Sequence, residues 1–267
     1  MKKVLTLTIV AAMSISVLAG CSKAAPAANN NTNTNSNTTA AAGNLKDGKY
    51  SAAFDHIDGK GWKPVLEIEV KGGKIEKANF NYKNPDGKLK TDDADYEKAM
   101  KAKNGLGPVE YVPKINEAFV KKQAAEIDTV TGATHSVENA KTLAKALLEK
   151  AAKGDTSETV LQMNDTYTAT AKDFDERGWK PQVSVTYKDG KITSVVYEEL
   201  NKEGKKKTED TQYNTQMKAA SKVSMKEAAE TLGKKYLETG KVDTVAGATT
   251  TSKNFAELVQ KAIDSRK

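Results

Sequence analysis

Two short stretches of this 267-residue chain hold residue types that could anchor a phosphate. Asp128-Thr129-Val130-Thr131-Gly132-Ala133-Thr134 returns, nearly unchanged, as Asp243-Thr244-Val245-Ala246-Gly247-Ala248-Thr249. Apolar residues at helical spacing follow each copy at once. They are Val137, Ala140, Ala144, Leu147 and Leu148 after the first, and Phe255, Leu258, Val259, Ala262 and Ile263 after the second. A small-residue turn that ends in a hydroxyl and meets a helix N-terminus favours an anion. Unpaired backbone N–H groups and the positive end of the helix dipole converge there. Glycine and alanine let the backbone come close, and Thr134 and Thr249 each offer a hydroxyl that can be esterified. A single such turn is ordinarily just a helix cap. Its return in a loop, where repeats diverge most freely, points to function.

The remaining chemistry-bearing residues exclude more than they suggest. Cys21 is the sole cysteine, so the chain cannot build a disulfide, an iron–sulfur cluster, a thiolate zinc site or a c-type haem attachment. His56 and His135 are too few for most metal or b-type haem arrangements, and no metal centre is expected. Both are expected to be solvated, with His135 a neighbour of whatever Thr134 carries. Any redox group must then be organic. The formal charge of +7 falls to +5 without Lys2 and Lys3, and the lysines are interspersed with acids. No basic stripe interleaved with aromatics is present, which argues against nucleic-acid binding.

The elements that position these turns begin after a leader. Lys2 and Lys3 precede an apolar run from Val4 to Val17 that is too short and too interrupted to stay as a membrane span. It ends in Leu18-Ala19-Gly20-Cys21, which resembles a bacterial lipobox, so residues 1–21 read as a lipoprotein signal segment with its lipobox, and Cys21 is the expected lipidation site and first residue of the mature protein. Nothing later in the chain reads as a membrane span. Residues 22–44 are low in complexity, rich in Ala, Asn and Thr, and read as a disordered tether. Such a tether reaches at most about 80 Å when extended and roughly 25–30 Å as a coil.

Beyond it the chain reads as two copies of one plan. Tyr50 matches Tyr167, Gly61-Trp62-Lys63-Pro64 matches Gly178-Trp179-Lys180-Pro181, and Tyr96 with Met100 matches Tyr213 with Met217, all 117 residues apart. The two D-T-V blocks lie 115 apart. The expected domains are 45–153 and 159–267. In each, strands come first: Leu66, Ile68 and Val70 alternate with acids, as Val183, Val185 and Tyr187 alternate with hydroxyls. Gly72-Gly73 and Asp189-Gly190 turn these into second strands at Lys74–Tyr82 and Lys191–Glu198. Helices follow, one around Ile115, Ala118 and Phe119 and its counterpart around Ala228, Ala229, Leu232 and Tyr236. The last helix of each copy is expected to be capped by Ser136 or Thr251. The fold class is therefore α+β, two tandem small domains with an antiparallel sheet packed by helices in each. Trp62 and Trp179 are expected to close the core rather than to stack on a ligand. Gly87 to Asp92 and Gly204 to Glu209 read as exposed polar loops.

The pattern D-x-x-(S/T)-G-A-T, followed by Ser or Thr two positions on, resembles the attachment motif of the FMN-binding domain family. That family includes the covalent flavin subunits of sodium-pumping quinone reductases and electron-transport complexes. The resemblance spans about Leu45 to Ile263. It implies that a flavin transferase, using FAD and magnesium, joins FMN through its phosphate to Thr134 and Thr249. Asp128 and Asp243 match the motif's acidic position, Thr131 its hydroxyl position, and Gly132, Ala133, Gly247 and Ala248 its close-approach positions. Ala246 departs from the usual Ser or Thr. The tandem pair behind a lipobox is similar to flavin-bearing lipoproteins of Gram-positive extracellular electron transfer. The implied role is an electron carrier anchored through Cys21 to the outer face of the cell membrane. It would take electrons from a membrane quinol pool or NADH dehydrogenase and pass them to extracellular acceptors such as ferric iron or flavins. The alternative is a solute-binding or structural lipoprotein whose turns merely cap helices.

Overall fold

The computed structural model describes residues 45–267; the expected signal peptide, the expected lipidation site Cys21 and the expected tether lie outside the described residues. The N-terminal lobe runs β1 (Gly48–Phe54), β2 (Lys63–Lys71), β3 (Lys74–Lys83), a short 3-10 turn (Lys90–Asp92), α1 (Ala94–Asn104), α2 (Pro108–Lys122) and α3 (Thr134–Lys153). After β4 (Thr159–Leu161) the same order recurs in the C-terminal lobe. It comprises β5 (Thr166–Thr170), β6 (Lys180–Lys188), β7 (Lys191–Leu200), a 3-10 turn (Lys207–Glu209), α4 (Thr211–Ser221), α5 (Met225–Thr239) and α6 (Thr249–Asp264).

Alternation drives the sheets. In β2, Leu66, Ile68 and Val70 face the core while Glu67 and Glu69 face away, and β6 repeats this with Val183, Val185 and Tyr187. β1 pairs antiparallel with β2, and β2 with β3; β5, β6 and β7 do likewise. Asp189 and Gly190 both take positive φ, as a tight two-residue hairpin demands. One pairing departs from the all-antiparallel expectation. Thr159–Leu161, at the start of the second expected domain, form β4 parallel to β1 on the edge of the first sheet, giving the order β3-β2-β1-β4.

Helices cover one face of each sheet and enclose separate cores. Leu66, Phe80, Ile115, Phe119, Leu143 and Leu147 fill the first. Tyr167, Val183, Val185, Leu232, Phe255 and Leu258 fill the second. Helix starts follow local chemistry: Asp93 and Asp210 accept from the N–H groups of Tyr96 and Tyr213, and Ser224 and Glu227 cap α5 reciprocally. Among the described residues no helix is long and apolar enough to cross a membrane.

Candidate functional site

The repeated turns place Thr134 and Thr249 at the first positions of α3 and α6, with both side chains exposed. A hydrogen bond from Ala133 N–H to the Val130 carbonyl closes the first turn at 2.9 Å, and Ala248 N–H to Val245 closes the second at 3.0 Å. Gly132 and Gly247 sit in the left-handed region, at φ 83° and 80°. Each turn lies against the end of a preceding helix. A Cβ on Gly132 would stand 2.9 Å from the Asn104 carbonyl oxygen, and one on Gly247 would collide with that of Ser221. Gly247→Ala is therefore expected to cost about 1–3 kcal/mol, read as a lowered thermal midpoint.

Ala133 and Ala248, not Ser136 and Thr251, are the N-caps, and neither cap supplies a side-chain acceptor. The glycine turn brings the chain into helix before the hydroxyl residues arrive. Ser136 and Thr251 are consequently buried inside the first turn, Ser136 accepting from the Tyr82 hydroxyl at 3.0 Å. The first helical bonds run from Val137 to Ala133 and from Ser252 to Ala248. That leaves the N–H groups of Thr134, His135 and Ser136, and of Thr249, Thr250 and Thr251, without partners among the described residues. No acidic residue lies in the first turn of either helix. Free donors, a favourable dipole and an exposed hydroxyl suit a phosphate monoester or diester at both places.

The motif's acids hold the turns from outside. Asp128 pairs with Lys122, the last residue of α2, at 3.1 Å, and Asp243 pairs with Lys235 of α5 at 2.6 Å. Lys235, with the Thr244 N–H, holds the Asp243 carboxyl below its usual range. Thr131 and Ala246 are exposed, while Val130 and Val245 pack on the cores.

A groove of about 720 Å³ opens beside Thr249. Phe174, Tyr213 and Met217 give it apolar and aromatic wall, and Arg177 and Lys207 give it positive charge. Its size and mixed lining suit a planar aromatic ligand tethered at one end, so the residues present fit FMN.

The loops read as exposed and polar carry a buried charge in each lobe. Lys90 is 3% exposed and Lys207 5%. Lys90 Nζ lies 4.1 Å from the centre of the Tyr82 ring and 4.4 Å from that of Tyr96. Lys207 Nζ lies 4.6 Å from the Tyr213 ring and forms a 2.6 Å ion pair with Glu199. The run of lysines around these positions hid them, because only the fold shows which one turns inward. Trp62 is buried, edge-on to Tyr96 at 5.5 Å, whereas Trp179 is half-buried. His56 is not freely solvated: it is half-buried between Asp55, at 2.9 Å, and Arg266, at 3.1 Å. His135 is exposed, its Nε2 3.4 Å from Asn139.

The FMN-binding domain family matches residues 178–264. A similar protein, the 15 kDa lipoprotein of Treponema pallidum (strain Nichols), is 35% identical over 113 residues, which cover 42% of this chain and 80% of that protein. The chain belongs to the FMN-binding domain family. Among solved structures, the CPE2226 protein of Clostridium perfringens is 38% identical, over 45% of this chain and 98% of that one, with a TM-score of 0.44. A Clostridium thermocellum protein solved by NMR is 30% identical over 40% and 92% of the two chains, with a TM-score of 0.28. As an FMN-binding domain, the C-terminal lobe contains within its matched stretch the Gly247 turn, Thr249 and most of the groove that starts there.

Proposed function

We propose that this FMN-binding protein carries flavin covalently on Thr134 and Thr249 and works as a membrane-anchored electron carrier. The observation that carries the reading is the repeated G-A-T turn, which presents a threonine hydroxyl among unpaired N–H groups at a helix start, in both lobes. The attachment is a phosphoryl transfer made by a separate flavin transferase. The threonine oxygen bonds to the flavin-side phosphorus of FAD, AMP leaves with the broken pyrophosphate bond, and the hydroxyl proton is released.

Bound FMN supplies electron transfer in single or paired steps. The chain's own residues bind and orient it. Backbone N–H groups of α3 and α6 offset the phosphate charge, and the groove at Thr249 offers an aromatic wall to the ring. An ester tether holds the cofactor on an exported protein without an enclosing pocket, and the groove's openness leaves room for electron exchange with partners. Lipidation at Cys21, supported by the lipobox and by the lipoprotein nature of the Treponema relative, keeps the carrier at the outer membrane face. There a quinone-linked dehydrogenase would be the donor and ferric iron or free flavins the acceptors.

Protein produced with a flavin transferase is expected to be yellow, to stay yellow after denaturation, and to gain the mass of two FMN groups. Colourless protein of unmodified mass would overturn the reading in favour of a solute-binding or structural lipoprotein.

A further inference from the structure

We infer that Asp58, His135 and Asp165 form a binding site for one divalent transition-metal cation where the two lobes meet. Asp58 comes from the loop between β1 and β2, His135 is the second residue of α3, and Asp165 precedes β5. Each offers one ligand atom, and the three atoms lie within 4.8 Å of one another.

The buried member carries the argument. Asp58 is 2% exposed. Its Oδ1 accepts from the N–H groups of Lys60 and Trp62, both at 2.9 Å, while Oδ2 accepts no hydrogen bond among the described residues. Asp165 offers a second carboxylate oxygen beside this buried group. Among the described residues no lysine or arginine forms an ion pair with Asp58 or Asp165; Lys90 acts on Asp58 only from farther away. A buried carboxylate with a free oxygen, a second carboxylate and an imidazole thus converge without a contacting cation. Leaving such charge uncompensated is costly.

Asp165 is held in place for the role. Its Oδ2 accepts from Gly59 N–H at 2.9 Å, and the lobes approach so closely there that a Cβ on Gly59 would collide with the Thr166 carbonyl. Two carboxylate oxygens and one imidazole nitrogen suit Mn²⁺, Fe²⁺ or Zn²⁺ better than Ca²⁺ or Mg²⁺, and three protein ligands leave the remaining positions to water. The repeat does not generate a second site. Asp175 matches Asp58, but Thr250 stands where His135 does, so the second copy lacks the imidazole. The stoichiometry should be one ion per chain.

The test is titration of the whole chain, stripped with a chelator, with Mn²⁺ followed by electron paramagnetic resonance and with Zn²⁺ followed by calorimetry. One saturable ion per chain is expected. His135→Ala and Asp165→Asn should each weaken binding by about ten-fold or more, with unchanged circular dichroism. Asp58→Asn should do the same while keeping an acceptor for the Lys60 and Trp62 N–H groups. Binding no tighter than millimolar in the parent chain, or affinity unaltered by all three substitutions, would overturn the proposal.

Discussion

Alanine at Thr134 should lower the covalent flavin content of the chain from two groups to one, alanine at Thr249 should do the same, and the double variant should be colourless. The effect is all-or-none because the substitution removes the oxygen that would hold the phosphorus. It is also cleanly separable from misfolding. Both threonines are exposed first-turn residues, and alanine is a better helix former, so stability should change by no more than about 0.5 kcal/mol. Serine at either position keeps the hydroxyl and should keep the flavin. Intact mass after denaturation, with a thermal melt of each variant, reads both quantities. The departure at Ala246 should not spare Thr249. Thr131 and Ala246 are both exposed, and the glycines that follow them adopt nearly the same φ, 83° and 80°. The threonine is presented alike in both lobes, so saturating transferase should fill both. Unchanged mass in the single variants of a yellow protein would place the flavin elsewhere.

The alternation of Leu66, Ile68 and Val70, the Asp189-Gly190 turn and the apolar stripe after each G-A-T were plain in the sequence, because periodicity reports which face is buried. α1 and α4 were not. Neither has a fully buried residue, so neither shows a stripe. β4 was missed because three residues carry no period, and its partner β1 is more than a hundred residues away. At the site, the turn was legible as a local motif, while its caps were misplaced by the glycine conformation. The inward turn of Lys90 and Lys207 was invisible among neighbouring lysines. The meeting of Asp58 with Asp165 was likewise hidden, since only the docking of the two lobes joins them.

That pair of buried lysines leads to the second large effect: the same substitution should act with opposite sign in the two lobes. In the C-terminal lobe Lys207 and Glu199, both about 5% exposed, hold each other at 2.6 Å, and Glu199 also accepts from the Tyr197 hydroxyl at 2.7 Å. Lys207→Met would strand a buried carboxylate, at a cost of about 3–5 kcal/mol. For a cooperative unit of this size that corresponds to a midpoint lower by roughly 10 °C. In the N-terminal lobe Tyr82 occupies the position of Glu199, and Lys90 has no carboxylate in contact among the described residues, only aromatic faces. Burial pushes its pKa down from 10.5 to about 8. A lysine whose folded pKa lies below its unfolded one destabilises the fold fully below the folded value. Between about pH 8 and 10.5 the unfolded chain binds the extra proton, so this penalty is relieved as pH rises. Cation–π attraction to Tyr82 and Tyr96 offsets part of it. Lys90→Met should therefore stabilise the protein at pH 7 by about 1–3 kcal/mol and remove the rise in stability across that alkaline window. Denaturant unfolding of flavin-free protein at pH 7 and pH 9.5 measures both variants. Equal losses in the two would mean that Lys90 has a carboxylate partner after all.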